Sequence, residues 1–565
     1  MKVLIVGGVA GGASAAARLR RLNESAEIII FEKSGYVSYA NCGLPYFVGD
    51  IIKSQDALTL QTPESFRNRF NVDVRIKHEV IHIDPDAKRI TVRNLSSQEL
   101  YEETYDKLIL SPGARPIRPN MTGIDLHDIY TLRNVEDAAA LKEKAMNPSV
   151  IRAIVIGGGF IGLETAENLR HLDIDVTLVE KSPQVLAPLD EDMASFVHAK
   201  LKENGIRLLL KVGVSAFSRE EETGALTVHL DNGMTLDADL VVLAIGVTPD
   251  TKLAQTAGLA MGPRNTIQVD EWMRTSDPDI YALGDAVMTT HKVSGERASI
   301  MLAGPANKQG RMVADHICGR SCKDYGTQGS FVVKVFDMTA AATGLNERAV
   351  KAMGIAYDRA ILSPGGHAGY YPGTKAMTMK VLYELSTRRI LGAQIVGFDG
   401  VDKRIDVIAT AMQGGILADE LHHLDLAYAP PYSSAKDPVI MAGYMIENQL
   451  DGLVQTFGMD QLLQLKDDER VSLVDVRTPG EFAAGHIEGF INIPVDELRQ
   501  RMTDLPQDKP VYLMCQSALR SYLAARVLAQ HGYTCYHFAG GYRYYKSVSE
   551  HSWHENASYG CGFPE

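Results

Sequence analysis

Ile154-Val155-Ile156-Gly157-Gly158-Gly159-Phe160-Ile161-Gly162 is an apolar run that breaks into a glycine turn and resumes as a helix. The strand runs from Ile151 to Ile156 and, after Arg152, has the continuous apolar character of a buried parallel strand. A helical pattern continues through Glu164 to Leu172, and Val176 to Val179 makes a second strand ending in Glu180. Strand, glycine turn, helix, strand and acid, in that order, hold a dinucleotide. The pyrophosphate sits at the helix N-terminus and the carboxylate takes ribose hydroxyls.

The pattern occurs twice. Lys2 to Val6 is a strand, Gly7-Gly8-Val9-Ala10-Gly11-Gly12 the turn, Ala13 to Leu22 a helix, and Ile28 to Phe31 a strand closed by Glu32 and Lys33. Val9 stands where the second glycine of G-x-G-x-x-G belongs, with Gly8 and Gly11 compensating. Two such loops imply two dinucleotides, and the chemistry that joins two is hydride transfer. Gly7, Gly8, Ala10, Gly11, Gly12, Glu32 and Lys33 are the candidates for FAD. Gly157, Gly159, Phe160, Ile161, Gly162 and Glu180 are the candidates for the nicotinamide nucleotide. Glu180 repels a 2′-phosphate and favours NADH, while Lys181 beside it leaves NADPH open. Phe160 either shields the flavin or packs in the core. Ser111-Pro112-Gly113-Ala114 and Gly246-Val247-Thr248-Pro249 read as the crossings between the two folds. Gly284-Asp285, ending a strand, aims Asp285 at the flavin's ribityl chain.

Between these loops lies Ser38-Tyr-Ala-Asn-Cys-Gly-Leu-Pro-Tyr46. The next cysteine after Cys42 is Cys318, so a redox role for Cys42 requires a sulfur partner from outside the chain. The plain alternative is an inert buried thiol. A helix N-terminus at this segment is expected to lower the thiol pKa.

The chain has 565 residues, enough for three or four domains. A formal charge of −13 argues against nucleic acid or anionic membrane as a bulk partner. No apolar run is long enough to span a bilayer. Six scattered cysteines form no disulfide framework, so a reducing cytoplasm is expected. Cys318 and Cys322 lack the companions a metal site needs, and no metal is expected.

The two loops, the Thr275-Ser-Asp-Pro…Gly284-Asp285 segment and the single cysteine resemble the pyridine nucleotide–disulfide oxidoreductases. The run Asn41-Cys42-Gly43-Leu44-Pro45-Tyr46 is similar to the branch that reduces coenzyme A disulfide; the resemblance covers about residues 1 to 450. It implies FAD at residues 1–112 and 246–325, NAD(P) at 113–245, and a dimerisation domain at 326–450. It also implies that Tyr370 and Tyr428 reach from the partner subunit of a homodimer to the cysteine. Asn41 is assigned to both flavin and coenzyme A, and Ser14, Arg18, Arg21, Ser38, Arg69, Lys308 and Lys436 to coenzyme A. Phe70 stands where the branch has a lysine. The rival oxidase and peroxidase branch carries a histidine in its first glycine loop, where this chain has Ala10.

After a linker at 451–458, Ser472 to Val476 ends in Asp475-Val476-Arg477, and Val511 to Met514 delivers Cys515-Gln-Ser-Ala-Leu-Arg520-Ser521 before a helix. A cysteine in such a loop sits among convergent N–H groups that stabilise a thiolate or persulfide. Arg520 adds a cation for an anionic sulfur compound. The segment 459–549 resembles a rhodanese domain; 550–565 reads as an unassigned polar tail. The expected fold class is α/β: two Rossmann-like domains, an α+β dimerisation domain and an α/β rhodanese domain. The expected activity is NADH-driven reduction of coenzyme A persulfide, polysulfide or disulfide at Cys42, with Cys515 handling sulfane sulfur. The alternatives are an NADH oxidase or peroxidase with an appended sulfurtransferase, and a flavin sensor of coenzyme A redox state.

Overall fold

The computed structural model describes residues 1–220, 224–465 and 467–550, so the polar tail and Cys561 lie outside the described residues. The chain divides into two compact units, 1–183 with 205–329 and 184–204 with 330 onward.

The first unit holds two five-stranded parallel sheets. One runs in the order Ile280–Ala282, Lys107–Leu110, Lys2–Val6, Glu27–Glu32, Asp73–Ile76. The other runs Arg207–Leu210, Asp175–Glu180, Arg152–Ile156, Leu240–Leu243, Ile129–Tyr130. In both, the strand feeding the glycine turn is central, as a doubly wound fold requires. Val3, Leu4 and Ile5, like Ile154 and Val155, are buried, which is why these strands read as unbroken apolar runs. Thr104 to Leu110 reads in sequence as one strand, but the structure breaks it at Tyr105. Leu100–Thr104 instead joins an antiparallel meander with His78–Asp84 and Arg89–Asn94. The two crossing segments pair with each other, Ala114–Pro116 antiparallel to Val247–Pro249.

In the second unit, an antiparallel sheet of Phe331–Val335, Met338–Gly344, Ile390–Gly397, Met377–Glu384 and Tyr357–Leu362 packs against the helices Val401–Gly414 and Pro438–Leu450. A parallel sheet follows, in the order Thr456–Phe457, Cys535–Phe538, Val511–Met514, Ser472–Asp475, Ile491–Asn492. Thr456–Phe457, inside the segment expected as linker, is thus an edge strand. Among the described residues no helix is long and apolar enough to cross a membrane.

The helix Glu191–Glu203 belongs to this second unit, and a buried charge cluster fixes it there. Lys380 Nζ lies 3.0 Å from Asp190, 2.8 Å from Asp192 and against Glu347. Burial alone would lower the Lys380 pKa; the three carboxylates override it and hold the ammonium charged. Tyr544, from the last described helix Gly541–Glu550, donates to Asp192 at 2.5 Å, and Ser547 meets Ser195 at 3.1 Å. Arg359 joins Glu347 at 2.8 Å and Asp460 at 3.6 Å. Replacing Lys380 with Met removes the buried cation that Asp190, Asp192 and Glu347 share, so Lys380→Met is expected to destabilise this unit by about 3–5 kcal/mol. Urea unfolding followed by circular dichroism reads this; an unchanged midpoint would mean that water already screens the cluster.

Candidate functional site

Both glycine turns are forced by contact distance. A Cβ on Gly12 would stand 1.9 Å from the Gly7 carbonyl oxygen, and one on Gly162 1.9 Å from that of Gly157. Gly7 and Gly157 adopt φ of +94° and +107°, the region that favours glycine. The helices Ala10–Leu22 and Phe160–His171 start without a capping side chain and without an acid in the first turn. Their leading N–H groups therefore stay open to an anion. Glu32 accepts from Gly8 N–H at 2.9 Å and Ser34 N–H at 2.9 Å. Glu180 accepts from Gly158 and Ser182 N–H, both at 2.6 Å. Each carboxylate is thus oriented over its own turn. A Cβ on Gly159 would meet nothing within 4 Å, which leaves room for a phosphate. These features fit one dinucleotide per loop. Lys33 pairs with Asp250 at 3.0 Å, and Gly246 takes a φ of +111° at the return crossing.

Asn41 and Cys42 form a 3-10 turn that runs directly into the helix Leu44–Val48. Cys42 is exposed, and Asn41 Oδ1 is buried without a hydrogen-bond partner in the chain, an acceptor awaiting a ligand. The expectation of an acidified thiol is overturned: partial desolvation by the protein around an otherwise accessible sulfur, then the carboxylates of Glu164 and Asp285, push the Cys42 pKa up, with only Arg133 opposing. The turn is too short to offer a useful helix dipole, and the nearest charges have the wrong sign. Asp285, in the turn Gly284–Ala286, lies 3.8 Å from Arg133; burial raises its pKa.

A cavity of about 320 Å³ opens beside the first helix, lined by Ser14, Arg21, Ser38, Phe66, Phe70 and Arg311 among others. Three expected coenzyme A contacts, Ser14, Arg21 and Ser38, gather here. Arg18 does not: its guanidinium is 2.6 Å from Asp315 and largely buried, so its charge is already used. Arg69 and Lys308 are exposed and do not line the cavity, and Asn41 does not either. Lys436 is exposed in the second unit. Sequence reasoning missed Arg311, on the helix Ala303–Ile317; its only signal is its place one turn after Asn307, which receives the Ser14 hydroxyl.

In the second unit the hydroxyls of Tyr370 and Tyr428 meet at 2.5 Å, both side chains exposed. That hydrogen bond raises the Tyr428 pKa. Buried Arg404 joins the two tyrosine loops: it donates to Gly366 O at 2.9 Å, Tyr432 O at 3.3 Å and Ser433 Oγ at 3.1 Å, and pairs with Asp437 at 3.0 Å. A lone arginine in a helical pattern gave no sign of this.

Cys515 ends its strand fully buried. Its loop is braced from the far side: Tyr542 N–H donates to Cys515 O at 2.8 Å and Arg543 N–H to Gln516 O at 3.2 Å. The turn Gly540-Gly541 that allows this has positive φ at both residues. Arg520 departs from expectation. Both its Nη atoms bond Glu481 at 2.7 Å, and the pair is sheltered from solvent. Burial would raise the Glu481 pKa, but Arg520 and Thr478 hold it lowered. With both Nη atoms bound to Glu481, Arg520 braces the helix Leu519–Ala529 against Pro479–Ala483, and its charge is matched by that carboxylate.

Residues 1–310 match the pyridine nucleotide-disulphide oxidoreductase family, 330–438 its dimerisation domain, and 458–547 the rhodanese-like domain. A coenzyme A disulfide reductase of Staphylococcus haemolyticus is 37% identical over 447 residues, 78% of this chain and 98% of that protein. The crystal structure of reduced Bacillus anthracis CoADR-RHD is 47% identical with a TM-score of 0.94, covering 97% of this chain and 98% of that one. An NAD-dependent persulfide reductase from A. fulgidus is 36% identical with a TM-score of 0.90, covering 97% and 100%.

The two loops generate a paired expectation. Gly12→Val cannot close its turn, and FAD content after dialysis is expected to fall at least about tenfold. Gly159→Ala closes its turn freely, so FAD is retained and only the KM for NADH rises. Equal flavin loss in both variants would contradict the assignment of one dinucleotide to each loop.

Proposed function

Since the chain belongs to the pyridine nucleotide-disulphide oxidoreductase family, we propose that it reduces coenzyme A persulfide and coenzyme A disulfide at Cys42. The observation that carries this reading is the basic cavity beside the Cys42 segment, in a chain that also holds a rhodanese loop. Arg21 and Arg311 have no ion-pair partner among the described residues, whereas Arg18 and the buried Arg20, which donates to five backbone carbonyls, are fully engaged. Two open cations with Phe66 and Phe70 suit the phosphates and adenine of coenzyme A.

Cys42 as thiolate attacks a sulfur of the substrate. The S–S bond of coenzyme A disulfide breaks, Cys42–S–S–CoA forms, and one coenzyme A leaves as a thiolate that takes up a proton. With the persulfide, Cys42 takes the terminal sulfur and coenzyme A leaves as the thiol. Bound FAD and NADH would supply hydride equivalents; Cys42 returns to its reduced form on uptake of two electrons and two protons, as the second coenzyme A or hydrogen sulfide leaves. In a homodimer, Tyr370 and Tyr428 serve the partner's Cys42, their linked hydroxyls donating to the leaving thiolate. Cys515 carries sulfane sulfur to or from coenzyme A. Five free cysteines among the described residues accord with a reducing cytoplasm.

Comparative kinetics test the proposal. Cys42→Ser is expected to abolish NADH oxidation with either substrate, and Cys515→Ala to spare disulfide reduction while abolishing sulfur transfer from thiosulfate. Arg21→Ala and Arg311→Ala are each expected to raise the KM for coenzyme A disulfide about tenfold. Full persulfide turnover by Cys42→Ser, or reoxidation of the NADH-reduced enzyme only by oxygen or peroxide, would overturn it.

A further inference from the structure

Cys42 and the nicotinamide-side helix are linked through one residue that the proposed chemistry has not used. The short helix Leu44–Val48, which begins two residues after Cys42, packs against Phe160–His171 closely enough that a Cβ on Gly49 would lie 2.3 Å from Asn168 Oδ1. Across this contact Tyr46 donates a hydrogen bond to Glu164 Oε1 at 3.3 Å. Glu164 is half-buried, two residues beyond the last glycine of the second loop.

We propose that Glu164 is a positioning residue that sets the charge state of the Cys42 thiol, so that one proton serves both groups. A thiolate at Cys42 and a carboxylate at Glu164 repel each other; the thiolate is favoured when Glu164 carries the proton. The surrounding groups point the same way. Burial, then neighbouring Glu167, raise Glu164 to about 7, against the hydrogen bond from Tyr46. Around Cys42 stand Glu164, Asp285 and the opposing Arg133. Lys142, on Val135–Ala145, is held at the far end of the short helix by Asp50 at 2.9 Å and the Phe47 ring at 4.1 Å. Ionisation of Glu164 above neutral pH therefore holds back the thiolate.

The inference rests on Cys42 being the nucleophile, but its test needs no sulfur substrate, so the two can fail separately. Iodoacetamide alkylation of the Cys42 peptide, followed by mass spectrometry on the full-length FAD-loaded protein from pH 5.5 to 9.5, reads the thiolate directly. The parent is expected to show a profile stretched over more than one ionisation. Glu164→Gln is expected to give a single step and alkylation at pH 7.5 about three- to tenfold faster. Tyr46→Phe leaves the carboxylate in place but removes the bond that favours its charge, and is expected to alkylate at a rate between the two. A Glu164→Gln profile that superimposes on the parent would overturn the proposal. If Glu164→Gln does not fold, a superimposing Tyr46→Phe profile would do the same.

Discussion

Van der Waals exclusion at two pairs of glycines sets the geometry on which the first unit depends. With 1.9 Å available to a Cβ at Gly12 and at Gly162, each strand can turn back into a helix only if the side chain is absent. That turn brings uncapped N–H groups over the end of a parallel sheet. It also places Glu32 and Glu180, from the neighbouring strands, within reach of Gly8 and Gly158. The same exclusion lets helices touch: a Cβ on Gly310 would lie 2.3 Å from Gly11 O, so Ala303–Ile317 lies directly on Ala10–Leu22. The wall of the basic cavity is built from that crossing.

Backbone-dictated features were legible in the residues. The parallel strands, the turns, the crossings and the cysteine loop each follow from apolar runs and glycines at set spacings, and the structure forms them with shifts of a few residues. The segment Thr104–Leu110 misled because Tyr105, just before Lys107–Leu110, is itself buried like a strand residue, and so concealed a break between two strands of different sheets.

The arginines were not legible. In sequence Arg18, Arg21, Arg311, Arg404 and Arg520 are equivalent cations. Burial and one nearby carboxylate decide whether each is a ligand group or a brace. Asp315 removes Arg18, Glu481 removes Arg520 and Asp437 engages Arg404, and each carboxylate lies 33 to 297 positions away in the chain. The Cys42 thiol failed for the same reason. A local helix start argues for acidity, but Glu164 and Asp285, more than a hundred residues distant in sequence, carry the opposite sign.

The charge cluster around Lys380 bears on how separable the C-terminal sulfur-handling segment is. Asp192 and Ser195 follow Glu180 in the chain, yet they receive Tyr544 and Ser547 from its far end, and Arg359 reaches Asp460 near its start. Cutting near residue 450 would not give two finished proteins. One fragment would open Asp192 and Arg359 to water, and the other would bare the ring of Tyr544. Modules that can be named separately from their motifs have here been cemented into one folding unit, with the added piece serving as masonry for its host.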